Sequence, residues 1–178
     1  MRIISGKYRG YQLATLPGKT TRPTSDFSRE ALFSMYPDFG GKHILDLYAG
    51  SGSLGLEALS RGAAYVDFVE FASPAIGIIL QNIQKLGCGE FCHVHRKRVE
   101  KYLAGNRLDH DVIFLDPPYD KALVSITLSA IFSNQTLNRM VTIIVEHSRR
   151  EELPAEYEAY IFRQKQGKAS CFSILSLF

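Results

Sequence analysis

The chain has 178 residues, 46% hydrophobic and 22% charged, with a formal net charge of +3. This is one domain by length, with enough apolar residues for a core of its own, and its composition is not that of a disordered or fibrous protein. No apolar run approaches the ~20 residues of a membrane span. The N-terminus, Met1-Arg2-Ile3-Ile4-Ser5-Gly6-Lys7, turns polar at once and predicts no secretory leader. Three cysteines (Cys88, Cys92, Cys171) without a C-x-x-C pair suit a reducing cytoplasm.

The positive charge is unevenly placed. Arg2, Lys7, Arg9, Lys19 and Arg22 precede the first acid, Asp26, leaving −2 for the rest of the chain. Residues 1–22 read as a basic hairpin arm, Arg2–Ser5 against Tyr11–Leu13, turning through Gly6-Lys7-Tyr8-Arg9-Gly10 and appended to a core over 23–178. Basic residues interleaved with Tyr8 and Tyr11 suit a nucleic-acid backbone with bases to stack on. An edge hairpin kept charged against aggregation would read the same. The candidate nucleic-acid contacts are Arg2, Lys7, Tyr8, Arg9 and Arg22.

A helix follows, capped by Thr24 or Ser25 and stopped by Pro37, with Phe27, Ala31, Leu32 and Met35 on one face. Arg29 and Glu30 form a surface ion pair or brace the Arg22-Pro23-Thr24 entry. Strand His43–Tyr48 then runs through Ala49-Gly50-Ser51-Gly52-Ser53-Leu54-Gly55 into helix Leu54–Ser60, with Gly62 as its stop. Strand Tyr65–Val69 ends in Glu70. A G-x-G-x-x-G between strand and helix lets the backbone pass close under a ligand, and the helix start offers unpaired N–H groups. A carboxylate at Glu70 can hold the two hydroxyls of a ribose. Together these predict a bound nucleoside cofactor.

Ser73-Pro74 starts a helix that runs to Gly87, followed by a short strand Phe91–His95 and a short helix Val99–Leu103. Cys88, Cys92, His93 and His95 do not read as a zinc site: Cys92 and His93 face opposite ways on a strand, and no second ligand pair follows. No metal is expected. The run Val112-Ile113-Phe114-Leu115 reads as a buried parallel strand, and Asp116-Pro117-Pro118-Tyr119 ends it, because neither proline can continue a ladder. Helix Ala122–Phe132, strand Met140–Glu146 and a hairpin of Glu158–Gln164 with Ser170–Leu177 complete the chain. The order predicts an α/β fold with a doubly wound, mostly parallel sheet of seven strands and an antiparallel edge hairpin.

The carboxyl ends of such strands are where ligands sit. At Asp116 that edge carries a carboxylate, a proline carbonyl without a ladder partner, and an aromatic ring. This set suits a planar group bearing an exocyclic amine. Asp46, in D-x-x-x-G-x-G, suits the cationic end of S-adenosylmethionine better than the pyrophosphate of a nicotinamide dinucleotide. A methyltransferase is the expected class.

Four segments occur in order: Ile3-Ile4-Ser5-Gly6-Lys7-Tyr8-Arg9-Gly10; Arg22-Pro23-Thr24-x-Asp26-x-x-Arg29-Glu30-Ala31-Leu32-Phe33; Asp46-Leu47-Tyr48-Ala49-Gly50-Ser51-Gly52-Ser53-Leu54-Gly55-Leu56-Glu57-Ala58; and Asp116-Pro117-Pro118-Tyr119. They resemble the RsmD family, bacterial methyltransferases that modify guanine N2 in small-subunit (16S) ribosomal RNA. The likeness covers essentially the whole chain. It implies a Rossmann-like class I S-adenosylmethionine-dependent methyltransferase fold. Thr24, Asp46, Ala49, Gly50, Ser51, Gly52, Glu70, Phe71, Val99 and Asp116 would bind the cofactor. Asp116, Pro117, Pro118 and Tyr119 would hold and present the base. The partner would be ribosomal RNA, free or within a small-subunit particle, met by a cytoplasmic monomer.

One position departs. Arg98 stands where such enzymes often carry the Asp or Asn that meets the adenine amine. Arginine has no acceptor, so either adenine recognition passes to backbone groups near Val99 or the correspondence is offset by a residue. Two other readings use the same residues: an N6-adenine DNA methyltransferase, since D-P-P-Y serves any exocyclic amine, and a non-catalytic RNA-binding assembly module.

Overall fold

The computed structural model describes residues 1–16, 26–119, 122–167 and 170–177. Seven strands form one sheet: β1 (His43–Leu47), β2 (Tyr65–Glu70), β3 (Cys92–Arg96), β4 (Val112–Leu115), β5 (Thr142–Ser148), β6 (Ile161–Gln166) and β7 (Ser170–Ser176). Their order is β3-β2-β1-β4-β5-β7-β6. The first five are parallel, β7 pairs antiparallel with β5, and β6 pairs antiparallel with β7 at the outer edge. Among the described residues five α-helices accompany them: α1 (Asp26–Met35) before β1, then α2 (Ser53–Ser60), α3 (Ser73–Leu86), α4 (Val99–Gly105) and α5 (Leu123–Phe132) between successive strands.

Alternation along the strands sorts the helices into two layers. Ile44, Val66, Phe68, Val112, Phe114 and Ile144 pack with α1, α2 and α3. Leu45, Leu47, Val69, Ile113, Leu115 and Val145 pack with α4 and α5. Both faces are covered, which is why the central strands read as unbroken apolar runs.

Several boundaries differ from expectation, each for a local reason. β1 stops at Leu47 because Tyr48 turns left-handed, with φ +59°. β5 begins at Thr142 rather than Met140, since the Asn138 carboxamide oxygen accepts the Met140 N–H at 3.0 Å and holds that residue in a turn. β6 begins at Ile161, after a 3-10 segment Ala155–Tyr160 that sets Tyr157 into the core. In α1 the apolar stripe starts one turn later than the sequence pattern suggests. Leu32, Phe33 and Met35 are buried, whereas Phe27 is 80% exposed. Thr24 and Ser25, the expected caps, lie outside the described residues.

The N-terminal arm is not an appendage. Among the described residues it pairs through one bridge, Arg2 to Gln12, and is fastened to α2, α3 and α1. The Glu57 carboxylate accepts the Ile4 and Ser5 N–H groups at 2.7 and 3.0 Å. Ser60, at the far end of α2, accepts the Lys7 N–H through its carbonyl at 2.8 Å and the Tyr8 N–H through its hydroxyl at 2.9 Å. Ile3, Tyr8 and Leu13 join the core of that layer. Gly6 sits at φ +84°, and a Cβ there would lie 1.8 Å from the Ser60 oxygen, so only glycine permits the approach. Arg29, fully buried, donates to the Arg2 carbonyl at 2.5 Å and lies 3.8 Å from Glu57. It braces the arm rather than the surface.

Candidate active site

One rung crosses four strands, Phe68–Asp46–Phe114–Ile144. Two residues further, Glu70 on β2, Asp116 after β4 and Glu146 on β5 follow in the same period-2 positions. The carboxyl edge of the sheet is therefore lined with carboxylates on the side of α1, α2 and α3. The glycine loop and the first turn of α2 open on the same edge. Such an edge favours a cation over a pyrophosphate.

The loop is built from beneath. Ala49 donates to the Val69 carbonyl at 3.2 Å, and Gly52 donates back to the Ala49 carbonyl at 2.7 Å. Gly52 takes φ +75°, and a Cβ there would meet the Phe68 ring at 3.3 Å, so the chain can turn into α2 only by passing this close to the core. Glu70 Oε2 accepts the Gly50 N–H at 3.0 Å, while Oε1 accepts the Phe71 and Ala72 N–H groups at 2.8 and 2.9 Å. Three amides thus fix one carboxylate between the glycine loop and the start of α3. Ser51 is tied by a residue that the sequence pattern did not single out. Asn82, buried in α3, donates to the Ser51 and Ala14 carbonyls and accepts the Ala14 N–H. A polar residue on an apolar helical face was the available signal.

Asp46 requires a correction. It was expected to face the cationic end of a ligand, but it is 1% exposed and its Oδ2 accepts the Gly55 N–H at 3.0 Å. Its side chain lies under the loop, pinning the first turn of α2. Burial pushes its carboxyl up to about 8, with the Gly55 amide pulling it down and the Glu70 charge pushing it up.

At the D-P-P-Y end, Pro117 is buried, Pro118 exposed, and Asp116 and Tyr119 half-buried. The Tyr119 hydroxyl donates to Glu146 Oε1 at 2.9 Å. Burial first, then the Glu146 charge, hold the phenol well above its ordinary range, so it stays a neutral donor. Glu146 was expected only as a strand end. It sits where an apolar strand stops beside the motif, which is how sequence could have marked it. β4 is hydrogen-bonded to β1, so Asp116 stands about one strand spacing, ~4.8 Å, from the mouth of the glycine loop.

Phe71 is 54% exposed beside Glu70, and the Arg98 guanidinium stacks 4.5 Å over its ring. Arg98 precedes α4 and its carbonyl accepts the Lys101 and Tyr102 N–H groups, while the Val99 side chain is buried. The stacked ring and guanidinium lie beside Glu70.

The arm candidates divide. Tyr8 is corrected: its ring belongs to the core at 7% exposure and offers no face for stacking, whereas Tyr11 is half exposed. Arg2, Lys7 and Arg9 are exposed. Lys7 lies at the Ser60 end of α2, opposite the glycine loop, so the arm's tip and Asp116 are at opposite ends of the sheet. Arg22 and Thr24 lie outside the described residues. Among those described, no cluster of three or more His, Cys, Asp or Glu could hold a metal, and no helix is long and apolar enough to cross a membrane.

Comparison with known proteins shows the family and the fold. The family model described as "Conserved hypothetical protein 95" matches residues 1–175. A protein named "Ribosomal RNA small subunit methyltransferase D" from Haemophilus influenzae is 36% identical over 157 residues, 86% of this chain and 81% of its own. Its namesake from Escherichia coli is 34% identical over 155 residues, 86% of this chain and 78% of its own. A crystal structure of an RNA methyltransferase from Salinibacter ruber, in complex with S-adenosyl-L-homocysteine, superposes with a TM-score of 0.69 at 11% identity. It covers 88% of this chain and 94% of that one, and the likeness is of fold.

Proposed function

We propose that this chain, which belongs to the RsmD family of methyltransferases, methylates the exocyclic N2 of a guanine in small-subunit ribosomal RNA with S-adenosylmethionine as donor. The observation that carries the reading is the adjacency of Asp116-Pro117-Pro118-Tyr119 to the glycine loop across the β1–β4 pair. The residues fit the cofactor. The Gly50–Gly52 loop and the α2 N-terminus would hold its methionine end, the fixed Glu70 carboxylate would accept from its ribose, and Phe71 with Arg98 would flank its adenine. Bound there, S-adenosylmethionine supplies an electrophilic methyl group on a sulfonium, which an edge rich in carboxylates favours.

The protein's part is to make a poor nucleophile reactive. The N2 lone pair of guanine is delocalised into the ring. Asp116 and the Pro117 carbonyl accept the two amine hydrogens, which pulls the lone pair out of conjugation and aims it at the methyl group. Orientation of this kind supplies several kcal/mol, up to roughly 7–11 in the best cases. Tyr119, its hydroxyl fixed by Glu146, offers a ring for a base splayed out of its RNA neighbours. The amine proton leaves after transfer, so a dedicated strong base is unnecessary. The setting we propose is the cytoplasm, with the chain acting as a monomer.

The test is Asp116→Ala, assayed with labelled cofactor on ribosomal RNA. Most turnover should be lost while the cofactor, which the glycine loop and Glu70 would chiefly hold, still binds. A near-normal rate would refute the acceptor role.

A further inference from the structure

Outside the site, the densest basic tract of the described residues lies on the sheet edge at β3. Between Lys85 and Lys101 five basic residues stand against two acidic ones. β3 pairs only with β2, so its other side is an open edge. Between that edge and α3 runs a groove of about 360 Å³ lined by Phe71, Ser73, Ile76, Gly77, Leu80 and Arg96. Its polar rim is cationic: Arg96 lines it, Lys97 follows, and both are exposed. Its apolar surface is unusually open, with Phe71 at 54% and Leu80 at 41% exposure. At the foot of β3, Phe91 is partly exposed, and Lys7 from the arm lies 5.9 Å from its ring. Lys85 of α3 donates to the Gln12 carbonyl of the arm, so the arm is tied to the helix that forms one wall of the groove. β3 spans roughly 16 Å at ~3.3 Å per residue. The groove opens at the carboxyl end of β3, and the open edge of that strand continues from it toward Phe91 and the arm.

Cations along a line with apolar and aromatic faces between them are what a single nucleic-acid strand requires: partners for phosphates and flat surfaces for bases. We propose that the α3–β3 groove is a second RNA contact, a track for a single-stranded segment whose phosphates meet Arg96 and Lys97 and whose bases rest on Leu80 and Phe91. This rests on the reading of the protein as an RNA methyltransferase and adds where the substrate lies beyond the target base. An edge strand kept charged only to prevent pairing would carry the same cations and makes the opposite prediction below.

Two variants test it. Arg96→Gln with Lys97→Gln removes two cations. Gly77→Glu puts an acid into the groove at a position where a Cβ meets nothing within 4 Å, and replaces a helical glycine, so folding is not compromised. The probe is a small-subunit ribosomal RNA fragment that the wild type methylates, titrated with salt. The double variant should flatten the slope of log affinity against log salt by about 1.4 units, and each variant should bind roughly tenfold more weakly at physiological salt. Cofactor affinity and turnover at saturating RNA should be kept. Wild-type slope and affinity in both variants would overturn the groove while leaving the methyltransferase reading intact. Wild-type protein that neither binds nor methylates ribosomal RNA would overturn both.

Discussion

Glu70 does two things with one carboxylate. It caps the turn into α3 through Phe71 and Ala72, and it holds Gly50, which leaves one of its about four lone-pair sites, on Oε2, open to a ligand. Glu70→Ala should weaken S-adenosylmethionine binding by roughly 1.5–3 kcal/mol, the range of hydrogen bonds to a charged group; unchanged affinity by calorimetry would remove the assignment. Its spacing from Gly50 made this residue legible in the sequence. Asp46 was legible as part of the motif but not in its role, because period-2 geometry alone cannot say whether a strand carboxylate ends above the loop or under it. Its burial has a consequence for pH. With its folded pKa raised to about 8, the native state holds a proton that the unfolded state releases near pH 4. Between those values stability must therefore fall as pH rises, by at most about 1.4 kcal/mol per unit. Asp46→Asn keeps an acceptor for Gly55 and removes the titration. The stability of the wild type relative to this variant should decline from pH 5 to pH 8, and parallel denaturation curves would contradict the burial argument.

At the scale of elements, the central strands were readable because both faces of the parallel sheet are covered, which makes β4 an unbroken apolar run and leaves β1 mostly apolar around Asp46. The arm was not. A basic, turn-rich segment at a terminus reads as an appendage, and its anchors lie more than fifty residues away, at Glu57 and Ser60, in a helix whose polar residues carry no mark of their purpose. Glu57 now stands as the arm's main attachment, receiving two backbone amides and the Arg61 side chain beside buried Arg29. Glu57→Ala should cost about 3–5 kcal/mol, as for one partner removed from a buried charged group. Hydrogen exchange at Ile4, Ser5 and Lys7 should rise with it. A small loss of stability with protected arm amides would mean that apolar packing of Ile3, Tyr8 and Leu13 holds the arm alone.

Over the whole molecule, the arm's cations and the candidate site are spatially divided. Carboxylates line the reactive edge, while the exposed cations of the arm lie at the opposite end of the sheet. A polyanion reaching both must cross the molecule. Replacing Arg2, Lys7 and Arg9 with Gln should flatten the salt dependence of RNA binding by roughly 2–3 units if each meets a phosphate. An unchanged slope with an intact melting temperature would leave the arm a structural element only. The substrate itself is decided by chemistry at the edge. Wild-type protein, labelled S-adenosylmethionine and small-subunit ribosomal RNA from cells lacking the gene should yield N2-methylguanosine on digestion to nucleosides, and Asp116→Ala should yield almost none. Label absent from that RNA, or found instead as N6-methyladenine in duplex DNA, would contradict the account.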